Sequence, residues 1–190
     1  VISNAVLNIA PGTVVRGVAG VTSSDTGTLF VSRGGKLNAV GTPSRPIIFT
    51  ATDDNLLDPG ALGTGASARG KWGGIVLLGR GILNRRDVAV PGGANGDGSV
   101  YQVYEGLTTG TVNSDGQPRF HFGGPDNNDS SGVLKYVSIR HQGKKIESDK
   151  ELNGLSMGGV GRGTVLEHIE VYCGVDDGFE WWGGAVNSRY

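Results

Sequence analysis

The feature of this sequence that most constrains its fold is one apolar pattern that occurs twice, 32 residues apart. Residues 133–139 read VLKYVSI and residues 165–171 read VLEHIEV, so apolar side chains recur at the same positions of both segments. A repeat at an interval of a few tens of residues is typical of solenoids, in which each coil stacks on the one before it. The matched residues are therefore expected in neighbouring parallel strands, about 4.8 Å apart.

Strand signals recur along the rest of the chain, whereas helix signals are nearly absent. Short apolar runs bounded by Gly, Pro, Asn or Asp, which favour turns, occur at 6–9, 29–31, 47–49, 75–78, 134–139 and 166–172. Residues 7–14 and 29–37 both read as strand, glycine turn and strand, and their 22-residue offset suggests two further successive coils. Together these patterns predict an all-β chain folded as a right-handed parallel β-helix, a solenoid with long inserted loops. A jelly roll or β-sandwich is the alternative, although only Asn95-Gly96 gives a well-flanked hairpin signal.

Composition limits the possible classes of function. The chain has 190 residues, of which 35 are glycine, without the Gly-X-Y period of collagen. Its formal net charge is −1 and 18% of its residues are charged, which argues against nucleic acid as a partner. The apolar runs are too short for a transmembrane segment. Cys173 is the only cysteine, which excludes an internal disulfide and a cysteine zinc site.

Two stretches, about 52–71 and 85–128, interrupt the strand pattern and are rich in Gly, Asp, Asn and Pro. They are predicted to be loops inserted between the coils of a single β-helix domain that covers residues 1–190. Long loops of this kind lie on the surface and often carry function.

The alternation within the matched strands predicts which side chains face the core. Val137, Ile139, Ile169 and Val171 should point inward, which places Ser138, Arg140, Glu170 and Tyr172 on the outer surface. Arg140 and Tyr172 are therefore candidate ligand-binding residues. His141 and Cys173 have inward parity and should stack on each other; filling the end of the core is the favoured interpretation, ahead of a catalytic pair.

The segment 173–184 carries three carboxylates followed directly by two tryptophans. Asp176, Asp177 and Glu180 have the oxygen ligands that calcium prefers, and Trp182 could stack on a sugar ring. The segment therefore contains candidate ligand-binding residues and a candidate calcium site formed by the three acids. The alternative is an ordinary acidic turn, because Asp-Asp-Gly is common turn chemistry.

Several motifs in order resemble a known family. These are residues 9–17, 33–42, 46–50, 72–79, 133–141, 153–155 and 176–181. They resemble secreted or lipid-anchored right-handed β-helix proteins of Bacteroidetes and other marine bacteria, over nearly the whole chain. The resemblance implies the fold and an extracellular location, without an activity. The acidic stretch is also similar to turns of some pectate-lyase-like enzymes, where such residues bind calcium and an acidic sugar. Because members of the family usually continue with further coils, the chain is expected to be the N-terminal part of a longer β-helix.

Three interpretations of function remain open at this point. The first is a non-enzymatic extracellular or outer cell-surface protein that binds a polysaccharide or a neighbouring subunit, in a structural or adhesive role. The second is a calcium-dependent polysaccharide lyase or hydrolase, for which the basic stretch 140–145 would supply a cation. The third is a subunit of a stacked filament. Open terminal coils expose unpaired backbone groups, so the isolated chain is expected to need further coils or a partner packed on its C-terminal coil.

Overall fold

A computed structural model describes residues 1–20, 25–56, 67–83, 101–104, 107, 110–147 and 150–190. Within these residues the regular structure consists of short strands. The first two coils contribute β1 (Val6–Ile9), β2 (Val14–Gly17), β3 (Thr28–Val31), β4 (Lys36–Val40), β5 (Ile47–Ala51) and β6 (Gly74–Leu78). The remaining strands are β7 (Gln102–Val103), β8 (His121–Phe122), β9 (Gly132–Arg140), β10 (Lys145–Glu147), β11 (Lys150–Glu151), β12 (Leu155–Gly158), β13 (Val165–Tyr172), β14 (Phe179–Trp182) and β15 (Ser188–Arg189).

The strands stack in parallel, one coil on the next. One sheet has the order β1-β4-β9-β13-β15. In the same sheet β2 pairs with β5, and β5 also pairs with β9. A second sheet has the order β14-β12-β6-β3, and its three strand pairs are all parallel. Because each coil passes from the first sheet to the second and the next coil returns to the first, the chain winds as a β-helix. The predicted all-β, parallel β-helix fold is confirmed.

The predicted pairing of the two matched strands is also confirmed. Val137 of β9 pairs with Ile169 of β13, and Ile139 pairs with Val171, in parallel register. Val137 and Ile139 are buried in the hydrophobic core, and the two residues of β13 pack against it while partly exposed. The core is filled by the inward-facing side chains of every coil, which include Val31, Leu37, Phe49, Ile75, Leu77, Leu134, Leu155, Met157 and Leu166.

The 22-residue offset near the start of the chain does not separate two coils, and that prediction is wrong. Leu7 pairs with Leu37, 30 residues further on, whereas β3 follows β1 and β2 within the same coil and pairs with β6. The similarity reflects two corners of like geometry. Gly12 and Gly34 both have a φ of 80°, a left-handed conformation that glycine adopts without the cost of a Cβ atom.

A second hydrophobic cluster lies on the outer face of the sheet β14-β12-β6-β3. Its buried members are Val76, Leu78, Leu83, Tyr104, Phe122 and Leu152. Tyr104 and Phe122 belong to the second predicted insertion, so the described part of that segment packs onto the solenoid and covers one of its faces. Residues 57–66 of the first predicted insertion and residues 85–100, 105–106 and 108–109 of the second lie outside the described residues, and the insertion boundaries stay a prediction.

Candidate functional site

The outer face of β9 and β13 carries a strip of four polar side chains, Ser138, Arg140, Glu170 and Tyr172. Glu170 is exposed and Arg140 and Tyr172 are partly exposed, whereas Ser138, predicted at the surface, is buried. Register places Ser138 beside Glu170 and Arg140 beside Tyr172. The Ser138 hydroxyl donates a hydrogen bond to Glu170 Oε2, and Arg140 Nε donates to Ser138 Oγ over 2.8 Å. Arg140 Nη2 lies 3.8 Å from the same Glu170 oxygen, whose side chain is 60% exposed. The strip therefore links an acid, a base and an aromatic ring at the surface.

Groups beneath the strip fix its orientation. Trp72 is buried and its indole Nε1 donates a 2.7 Å hydrogen bond to the backbone oxygen of Arg140. The ring of fully buried His141 meets Tyr172 edge-on, with centroids 5.9 Å apart. A hydrogen bond with the Cys173 thiol raises the pKa of the Tyr172 hydroxyl, so the phenol stays neutral at physiological pH. The neutral hydroxyl can both donate and accept a hydrogen bond.

His141 has a buried acid beside it that the sequence did not indicate. Its Nε2 lies 3.8 Å from Asp54 Oδ1, and both side chains are fully buried. Its Nδ1 is 2.7 Å from the backbone oxygen of Ala68, and Thr50 donates a hydrogen bond to Asp54. Asp54 is 87 positions before His141 in the sequence, so no local pattern could have indicated the contact. These contacts agree with the interpretation of His141 as a residue of the core.

The three acids of the candidate calcium site lie on different parts of one turn and strand. Asp176 and Asp177 are exposed on the turn before β14, and the backbone oxygen of Asp177 accepts a hydrogen bond from Gly154. Glu180 lies on β14, where its Oε2 accepts a 2.6 Å hydrogen bond from Asn153. Among the described residues, no group of three His, Cys, Asp or Glu side chains is arranged to hold a metal ion. Calcium binding by these acids stays a prediction.

The two tryptophans that follow the acids face opposite ways. Trp182 is half-buried against the second hydrophobic cluster, with its ring edge-on to Phe122 at 6.2 Å. Trp181 is 51% exposed and its ring stacks on Phe179, with centroids 6.0 Å apart. The accessible indole of this strand is therefore Trp181, although the sequence suggested Trp182 as the sugar-stacking candidate.

Comparison with protein families agrees with this architecture. A family model described as a pectate-lyase-like beta helix domain matches residues 1–190. The chain belongs to this family. Neither the curated proteins nor the solved structures gave a match. Membership supports the distant likeness to pectate-lyase-like β-helices that the motifs indicated, and it fits a carbohydrate-related role in the broad sense. The resemblance to secreted or lipid-anchored β-helix proteins of Bacteroidetes and other marine bacteria stays a prediction.

A cleft at another corner of this β-helix domain was not indicated by the sequence. It has a volume of about 370 Å³ and lies where β3 and β6 end and the chain enters β1. It is lined by Ser3, Asn4, Ser32, Arg33, Arg80, Asp115, Gln117 and Pro118, and is called the Arg33 cleft below.

In the described part of the chain, no helix is long and apolar enough to cross a membrane.

Proposed function

We propose that the chain is an extracellular β-helix protein that binds a glycan on the outer strip formed by Ser138, Arg140, Glu170 and Tyr172. The observation that carries this proposal is the hydrogen-bonded network of that strip, in which buried Ser138 joins Arg140 to the exposed Glu170 on the adjacent coil. Membership in a pectate-lyase-like domain family supports a carbohydrate ligand. The role proposed is binding, in a structural or adhesive setting.

The strip has the chemical groups that sugar recognition requires. The hydroxyls of a sugar are both donors and acceptors, and the strip offers both kinds of partner. Arg140 has five N–H donors, of which Nε is used by Ser138, and the exposed Glu170 carboxylate has about four lone-pair sites. Tyr172 adds an aromatic ring and a neutral hydroxyl.

The strip is also held in place before any ligand arrives. Arg140 is fixed at its backbone by Trp72 and at its guanidinium by Ser138, and 21% of its side chain is exposed. A group whose rotamer is already fixed loses less conformational entropy when a ligand binds. Because the fold itself holds Arg140 through these contacts, a glycan would meet a preorganised surface.

A binding measurement with matched variants tests this function. Native affinity gel electrophoresis against a panel of neutral and acidic polysaccharides identifies a ligand, and Tyr172→Ala and Glu170→Gln are expected to lower its affinity at least tenfold. Glu167→Gln is the matched control, since Glu167 is also a carboxylate of β13 that is paired with a cation of β9. It is expected to bind like the parent protein.

Two results would contradict the proposal. One is the absence of retardation by any polysaccharide of the panel. The other is equal loss of affinity in Glu170→Gln and Glu167→Gln, which would show that the charge of the strand matters and the strip does not. Size-exclusion chromatography shows whether the polysaccharide becomes shorter during incubation with the protein. Shortening would favour a lyase or hydrolase over a purely binding role.

A further inference from the structure

The Arg33 cleft brings two guanidinium groups together in a polar cavity. Arg33 follows β3 and Arg80 follows β6, and these strands are parallel neighbours, so the two residues emerge from the same end of one sheet. Ser3, Asn4, Ser32 and Gln117 complete most of the lining with hydroxyl and amide groups. Among the described residues, neither guanidinium lies within ion-pair distance of a carboxylate.

The side chain of Arg33 is held in place by its neighbours, and most of its N–H donors remain available for a ligand. Its Nη1 donates a 3.1 Å hydrogen bond to the backbone oxygen of Gly123. Its guanidinium carbon lies 4.3 Å from the centre of the ring of Tyr101, which is buried. An arginine stacked on an aromatic face keeps its planar N–H groups free at the edge, where they can meet an oxyanion in bidentate fashion.

Arg80 is held in place through its backbone. Its amide donates a 2.8 Å hydrogen bond to Asp129 Oδ2, and its carbonyl accepts one of 2.8 Å from Asp126. Its side chain extends over Gly34, where Nη2 lies 2.7 Å from the place that a Cβ would occupy. The Ser3 hydroxyl lies at the same distance from that place. The guanidinium therefore lies beside the residue that follows Arg33 in the chain.

The charge of the cleft is positive on balance. The two arginines contribute two positive charges, and Asp115 is the one acid among the lining residues. Asp115 Oδ1 already accepts a 3.0 Å hydrogen bond from the backbone of Gln117. Burial, together with the positive charge of Arg33, lowers the pKa of nearby His121, which is therefore neutral at physiological pH and adds no charge.

We propose that the Arg33 cleft binds an oxyanion, the carboxylate or sulfate-ester group of an acidic ligand. Two guanidiniums that have no carboxylate partner among the described residues, surrounded by hydroxyl and amide donors, match the geometry and charge of such a group. The site lies at a different corner of the coil from the outer strip. It therefore does not depend on the glycan-binding role proposed for that strip.

Isothermal titration calorimetry with inorganic sulfate, galacturonate and galactose tests the site. Sulfate and galacturonate represent the two sources of the anion, and galactose is the neutral control. Binding of either anion without binding of galactose is expected. The affinity should fall at least tenfold in Arg80→Gln and fall with added sodium chloride, because screening weakens an exposed charge pair. Arg45→Gln, which removes an exposed arginine of another turn, should bind like the parent protein.

The outcomes separate this proposal from the proposed function. Binding of sulfate but not galacturonate identifies a sulfate-ester ligand, and the reverse identifies a carboxylate. Unchanged sulfate or galacturonate affinity in Tyr172→Ala would show that the cleft acts independently of the strip. Absence of heat with both anions, or equal loss of affinity in Arg80→Gln and Arg45→Gln, would overturn the proposal. Circular dichroism of each variant verifies that the fold is retained.

Discussion

Arg80 Nη2 lies 2.7 Å from the position that a Cβ would occupy on Gly34, so the side chain of one coil uses the space left by a glycine of the coil before it. This relationship connects the fold to the cleft. Gly34 has a φ of 80°, which makes the corner between β3 and β4, and the same missing side chain makes room for the guanidinium. One glycine thus serves both the turn and the proposed anion site.

Gly34→Ala is expected to lower both the stability of the fold and the affinity of the Arg33 cleft for an anion. Forcing an L-residue into the left-handed region costs about 1–2 kcal/mol, and the new methyl group would clash with Arg80 Nη2 and Ser3 Oγ. Urea unfolding should show a lower midpoint, and titration should show weaker anion binding. Gly110→Ala is the control, because a Cβ there would meet no atom within 4 Å. Equal stability of the two variants would contradict this account of the corner.

Tyr104→Phe tests the packing of the inserted segment on the solenoid. The Tyr104 hydroxyl forms a buried 2.8 Å hydrogen bond with Ser156 Oγ, and Ser156 is fully buried. Removing one partner leaves the serine hydroxyl unpaired, which costs about 1–3 kcal/mol of the free energy of unfolding. Chemical denaturation measures this loss. Tyr190→Phe, at a tyrosine that is 96% exposed, should change it by less than about 0.5 kcal/mol. A midpoint for Tyr104→Phe equal to that of the parent would count against the docked arrangement.

The ion pair between Lys135 of β9 and Glu167 of β13 predicts that the stability of the fold depends on pH. Lys135 Nζ lies 2.7 Å from Glu167 Oε2, and this hydrogen bond is the main cause that lowers the pKa of Glu167. A carboxyl whose pKa is lower in the folded state stabilises the fold above its unfolded pKa, about 4.3. That stabilisation is lost as the pH falls through the folded pKa.

Lys135→Met should therefore raise the pKa of Glu167, as measured by NMR titration of its side-chain carboxyl. The variant should also lose less stability than the parent protein between about pH 5 and about pH 3, because it has less stabilisation to lose. Lys36→Met, at an exposed lysine of β4, is the control and should leave the pKa of Glu167 unchanged. The same pKa of Glu167 in Lys135→Met and the parent would contradict the assigned cause.

Calcium binding by the acidic turn remains to be measured. If Asp176, Asp177 and Glu180 hold calcium, titration with calcium should release or absorb heat and raise the melting temperature, while a chelator should reverse both effects. Asp176→Asn should weaken binding, because it removes one anionic ligand. Glu167→Gln should leave it intact, since Glu167 lies on β13, outside the turn. Absence of heat when calcium is titrated into the parent protein would show that the acidic turn does not bind calcium.

The sequence alone determined the features that depend on local periodicity. Alternating apolar residues set which side of a strand faces the core, and the 32-residue repeat set the register of Val137 on Ile169. These are local properties, because successive side chains of a strand point to opposite faces wherever the strand lies. The same periodicity placed Arg140 and Tyr172 on the outer surface, where the structure has them at the surface and partly exposed.

Only the tertiary structure decided which distant segments meet. The 22-residue similarity was misread because like glycine corners occur within a coil as well as between coils, and strand pairing alone distinguishes the two cases. Trp182 lies against Phe122, 60 positions earlier in the chain, and Arg80 reaches Gly34, 46 positions earlier. Such contacts depend on how each coil closes and on where the inserted segment packs. No local pattern encodes these distances, so the outer strip was predictable from the sequence while the Arg33 cleft was not.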